Sequence, residues 1–384
     1  MKKIYTLFLV VFCLTTSLKA QTTFNITYSG FSTQAQAAYQ YAADIWANTV
    51  VSAVPIKVTA HFSLLPSGTL GITFPNGIKN FAGAPVANRW YATSLANSIT
   101  GTEINPGEAD IEMYLNSTVN WYYGTSGTVP AGQYDMATIV LHEMCHGLGF
   151  LSLAKDSSGL GSFGMLRAAD FYNLVTAFSW PNLDTLPSVF DKFLVTNAGA
   201  KLDSFPNPST TLSPMLKNNN VYFNGPYAMA ANGGIKPRIY APATFALGSS
   251  ITHLNEATYP AGNPNELMTP NGTSAYSLHT PGPICIGVLK DIGWTINPNM
   301  GVNEMQQNNF DFAVYPNPAN SQLFILTSIA IEKIKSIGIR NVLGEVVLGM
   351  DKNLSTDVSS LSKGIYFIEM TTTETKQTQK FIKE

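Results

Sequence analysis

The 384 residues are 45% apolar and only 12% charged, with a formal net charge of −2. That is enough apolar material for a sizeable core, and too little positive charge for nucleic acid or an anionic membrane to be the main partner. Thirty glycines and twenty-two prolines without a fixed period exclude a fibre, and three cysteines exclude a disulfide framework.

The first twenty residues have the layout of a secretory signal peptide: Lys2 and Lys3, a mostly apolar run over 4–15, and the small Ala20 before Gln21. Phe12 sits where a lipid-attachment signal at Cys13 wants a small residue, so the expectation is cleavage after Ala20. Cys145 and Cys285 then remain, in a compartment that permits a disulfide. No internal stretch approaches the roughly 20 apolar residues of a transmembrane anchor.

Beyond residue 21, alanines and aromatics at helical spacing predict a long buried helix over 33–50. Residues 56–65 and 110–115 alternate and predict strands; Ile111, Met113 and Leu115 suit either an edge strand bordering a cleft or an interior one. Asp135 then caps a predicted helix whose apolar face begins Met136, Ile139, Val140. His142 and His146 lie four apart, so one helical face presents two imidazoles, half of a tetrahedral zinc site. Glu143 stands beside such a metal, where it can take a proton from an attacking water. Composition alone would produce His-Glu-x-x-His roughly 0.002 times in such a chain, so chance is a poor account of it.

A catalytic zinc needs a third protein ligand. His61, His253 and His279 remain. His61 follows a strand pattern and reads as a sheet residue, and between His253 and His279 the residues alone leave the choice open. A glutamate from a later helix is another solution, but the helix-like stretch 167–172 contains none. Met268 before Pro270 can be ordinary core or part of a turn under the metal. Tyr276 and His279 are candidates to steady a developing oxyanion.

Of the 46 charges, 8 basic and 7 acidic residues fall within 331–384. This shift predicts two modules joined by a polar linker at 298–309. Short β-type runs separated by turn signals follow, predicting a small β-sandwich over 310–384.

That tail resembles the C-terminal sorting domain of the type IX secretion system, on residues 314–318 (VYPNP), 339–345 (IRNVLGE), 361–367 (LSKGIYF) and 380–383 (KFIK). The resemblance implies that the type IX machinery is a partner and that the protein is secreted or held at the cell surface.

The middle of the chain resembles the leishmanolysin-like branch of the metzincin zinc proteases. Gly149 follows His146 by three, as in the metzincin signature. Ser152 stands where the compact pattern has its third histidine. The order of His253, Met268 and a last helix near 284–294 then matches the branch in which a long insertion, here 152–252, intervenes. The resemblance implies an α+β catalytic domain over 21–297 with a mixed sheet and active-site helix. It further implies Zn2+ held by His142, His146 and His253, Glu143 as catalytic base, and Gly149 and Met268 as structural turn residues. A Cys145–Cys285 disulfide joining the zinc helix to the last helix follows from the same resemblance. The implied activity is endopeptidase cleavage of protein or peptide substrates. The rival reading is a non-catalytic surface adhesin or binding protein whose zinc is structural.

Overall fold

A computed structural model describes residues 22–171, 184–298, 312–327, 330–350, 352–372 and 376–384. The expected leader at 1–20, and the expected linker from residue 299 onward, lie outside them. The chain divides into two compact units, Met1–Met300 and Gly301–Glu384, and it is mixed α+β with a β-rich C-terminal part.

In the first unit a four-stranded sheet is built from β1 (Phe24–Ser29), β2 (Ile56–Ser63), β3 (Gly71–Pro75) and β4 (Ile111–Asn116), in the order β1-β2-β4-β3. β1, β2 and β4 run parallel and β3 pairs antiparallel to β4, with Thr73 opposite Met113. The 110–115 strand is therefore interior, and β3 forms the edge. Alternation could not decide this, because a strand with one apolar face looks alike at either position. Ile56, Val58 and Ala60 of β2 point into the core.

Helices α1 (Thr33–Thr49) and α3 (Met136–Gly147) pack against each other over that core. Between them in sequence lies α2 (Thr93–Thr100), which sequence pattern alone did not suggest. Ser32 caps α1 by accepting the Ala35 N–H, one of the amide hydrogens that a helix start otherwise leaves unpaired. Its buried face is small, Ala35, Ala38, Ala42 and Ala43 around Tyr39 and Trp46, so α3 can approach closely. The Trp46 indole N–H donates to the Leu141 carbonyl at 2.9 Å. The insertion contributes two small antiparallel hairpins, Ala154–Ser157 with Leu160–Phe163 and Leu194–Thr196 with Val221–Phe223, and then α4 (Pro226–Ala231). The last helix, α5 (Pro283–Ile292), leads to Trp294, whose indole N–H donates to the Leu148 carbonyl at 2.7 Å.

The second unit has a three-stranded sheet of β5 (Phe312–Tyr315), β6 (Gln322–Thr327) and β9 (Ser355–Asp357). Its four-stranded sheet is formed by β7 (Ile334–Arg340), β8 (Val346–Met350), β10 (Gly364–Thr372) and β11 (Lys376–Lys383). The strand pairs within both sheets are antiparallel. Phe312, Leu323 and Ile325 from one sheet and Ile337, Ile339, Ile368 and Phe381 from the other share one apolar core.

Candidate metal centre and cleft

α3 starts where Asp135, in extended backbone, accepts the Thr138 N–H at 2.8 Å and the Thr138 hydroxyl at 2.6 Å. It ends in a tight turn: the Gly149 N–H reaches the His146 carbonyl and the Phe150 N–H the Cys145 carbonyl. Gly149 has φ +105°, and a Cβ there would also stand 3.2 Å from Ile292. Only glycine takes that backbone without strain. The turn brings the Phe150 carbonyl back beneath His146, whose Nδ1 lies 2.8 Å from it.

His253 comes from the far side of the insertion. Its carbonyl accepts the Tyr240 N–H at 2.8 Å, and the next N–H, of Leu254, donates to the Met268 carbonyl at 2.7 Å. Met268 itself is fully buried in the short turn Glu266–Met268. The Leu267 carbonyl of that turn meets His142 Nδ1 at 2.5 Å.

These supports bring three ring nitrogens together. The Nε2 atoms of His142, His146 and His253 are 3.1–3.2 Å from one another. Each Nδ1 faces a backbone carbonyl, the third being Ser249 at 2.8 Å from His253. A carbonyl only accepts, so every Nδ1 carries the ring proton and every Nε2 points a lone pair at the other two. Burial holds the rings neutral: His142 is pushed down to about 4 and His146 to about 3, with the neighbouring His142 adding to the latter. His253 is also driven well below its ordinary value, by burial first. Three converging lone pairs suit a cation, and a tetrahedral ion about 2.0–2.1 Å from each nitrogen requires nitrogen separations of about 3.3–3.4 Å. The observed triangle fits such an ion within a few tenths of an ångström. Among the described residues it is the one group of three or more His, Cys, Asp or Glu side chains arranged to hold a metal.

Glu143 lies beside this centre in a cleft of about 830 Å3, which Thr73, His142, His146, His253, Leu166 and Tyr276 also line. Its Oε2 accepts the Thr73 hydroxyl at 2.7 Å. Burial pushes the carboxyl up to about 7, and the Thr73 bond pulls the other way. Among the described residues no lysine or arginine lines the cleft, whereas Asp135, Glu143, Asp170, Glu256 and Glu266 do, so its field favours a cation.

The other sequence candidates fall elsewhere. His61 stacks on Tyr114 with ring centroids 4.5 Å apart and approaches Glu112 at 3.2 Å, away from the triad. His279 is buried against Asp135, Nε2 to Oδ2 2.8 Å, and the Tyr276 hydroxyl is bonded to Glu266. Neither therefore offers the uncommitted donor that an oxyanion role requires. Cys145 and Cys285 are buried with their sulfurs 3.0 Å apart, in contact but beyond the about 2.05 Å of a disulfide; here they are two thiols. Sequence reasoning missed Gly71 and Thr73. Their strand is five residues long, too short for its alternation to stand out as a signal.

Comparison with known proteins assigns the tail. Residues 313–384 match the family model of the secretion system C-terminal sorting domain. The chain is exported by type IX secretion. Its destination is the cell surface or the extracellular space, and no helix among the described residues is long and apolar enough to cross a membrane. Residues 83–166 match a family model described as SPBPB7E8-like, a segment that includes α3 and the Gly149 turn and stops short of His253. An uncharacterized protein of Schizosaccharomyces pombe is 38% identical over 65 residues, 17% of this chain and 10% of that protein. The chain thus matches about a tenth of that relative's length.

Proposed function

We propose that residues 21–297 are a zinc-dependent endopeptidase of the leishmanolysin-like metzincin kind, delivered outside the cell by the sorting tail. The observation that carries this reading is the convergence of three neutral, buried imidazoles, each with its Nδ1 proton spent on a carbonyl, next to a carboxylate in an open cleft. A purely structural metal site has no use for such a carboxylate.

His142, His146 and His253 would hold the ion. When bound, zinc supplies Lewis acidity, polarising a carbonyl and making water a usable nucleophile near neutral pH. Glu143 accepts the proton of the attacking water and returns it to the leaving amine, so the base ends each turnover as it began. β3 closes one side of the four-stranded sheet and lines the cleft, and an extended peptide can hydrogen-bond to a sheet edge as an added strand.

The test uses the mature full-length chain, with zinc measured per molecule and cleavage followed on casein and on a peptide library. One zinc per chain is expected, with cleavage that falls about a hundredfold or more in Glu143→Gln while the zinc stays, the usual scale for loss of a general base. Zinc bound without any cleavage by the wild type would instead support the surface adhesin or binding protein.

A further inference from the structure

We propose that Thr73 is a positioning residue for Glu143, and that Gly71 is its necessary companion; the inference rests on the protease reading above. β3 is an edge strand in which residues 71 and 73 point to the same side. Ile72 and Phe74 point to the other, where they pack with Leu65 and Tyr114. The 71/73 side meets α3. There Thr73 donates its hydroxyl to Glu143 Oε2 at 2.7 Å, a bond between residues seventy positions apart. A Cβ on Gly71 would stand 2.9 Å from both Cγ and Oε1 of Glu143, closer than carbon and oxygen can pack without one moving. One residue thus pins the carboxylate and the other leaves it room.

Thr73 is buried, and a buried strand threonine satisfies its hydroxyl most simply on a nearby carbonyl. This one spends it on a carboxylate across the cleft wall. With Oε2 committed, Oε1 is the oxygen left for a substrate water, because no protein donor among the described residues is bonded to it. A glutamate has three rotatable bonds, and a general base must sit within hydrogen-bond reach of the proton it takes. Thr73 selects the rotamer that does so, without touching substrate or metal.

A merely structural role for Thr73 predicts lost stability; a positioning role predicts lost turnover in a folded, zinc-loaded chain. In Thr73→Val we expect kcat to fall about tenfold to a hundredfold, part of the range that general-base catalysis spans. KM should stay within about twofold and the zinc content unchanged, since neither rests on the carboxylate's rotamer. Thr73→Ser, which keeps the hydroxyl, should recover most of kcat. Gly71→Ala should lower kcat in the same way by pushing the carboxylate aside, and because the clash is with a side chain rather than backbone, it gives a second folded variant. In a Glu143→Gln background, Thr73→Val should cost nothing further. Full kcat in Thr73→Val, or a loss that follows zinc or melting temperature and is not restored by serine, would overturn the inference while leaving the protease standing. A wild type that cleaves nothing in the casein and library assays would overturn both.

Discussion

His253 and His279 are both buried histidines with a fixed hydrogen-bond partner, and they differ in what their second nitrogen meets. For His253 it is two other imidazole nitrogens; for His279, Nε2 itself is taken by the Asp135 carboxylate, whose side chain is fully buried. On the protease reading, His253→Ala should therefore lose zinc with little harm to the apo fold. His279→Ala should retain that zinc and lose about 1.5–3 kcal/mol, the usual worth of one hydrogen bond to a carboxylate, because Thr138 still donates to the same Asp135 oxygen. Metal analysis and thermal melts on the two variants separate these outcomes, and the reverse pattern would move the third ligand. The same pair marks how far the sequence could be read. His142, Glu143 and His146 announce themselves because their geometry is set by one helical turn. His253 stands 107 residues beyond His146, so spacing alone left His279 as its equal. Thr73 was invisible, since the strand bearing it is short and its partner lies seventy residues away.

At the scale of elements, α3 is held from several sides: by α1 through the Trp46 indole, by the turn at Gly149, and by α5, where Cys145 and Cys285 meet. The cysteines are two thiols in contact inside a protein that is exported. Outside the cytoplasm, exchange with a donor disulfide converts such a pair to a bridge as the chain folds, before burial closes access. The expected outcome is that alkylation of the denatured exported protein without reductant leaves both cysteines unlabelled, with a linked peptide in the digest. Cys285→Ser should then lower stability by about 2–4 kcal/mol, the ordinary range for a long loop closure. Free, alkylated peptides from the unreduced protein would instead leave two structural thiols. Helices and strands with strong periodicity were legible here: α1 runs Thr33–Thr49 against an expected 33–50, and β2 and β4 lie within about two residues of their expected bounds. Order within the sheet was not legible. Whether β4 lies inside or at the edge depends on β3, five residues whose apolar content is too small for a periodic signal.

For the whole molecule, the charge shift near residue 331 reflects two units with different means of stability. The first has a large apolar core and, on the protease reading, a metal that ties the helix of His142 and His146 to a loop more than a hundred residues on. The second is a β-rich sorting tail with its own small core and no share in the histidine cluster. A ligand that binds only the folded state stabilises it by RT ln(1 + [L]/Kd), about 2.7 kcal/mol at a hundred times Kd. Chelation should therefore lower the melting transition of the unit that holds the histidines by several degrees and leave the transition of the tail where it was. Calorimetry of the full chain with and without a zinc chelator reads both transitions in one experiment. Restoring zinc should return the first transition to its original temperature. Equal shifts in both would mean that the chelator acts on something other than the three imidazoles, and no shift at all would mean that they hold no ion in solution.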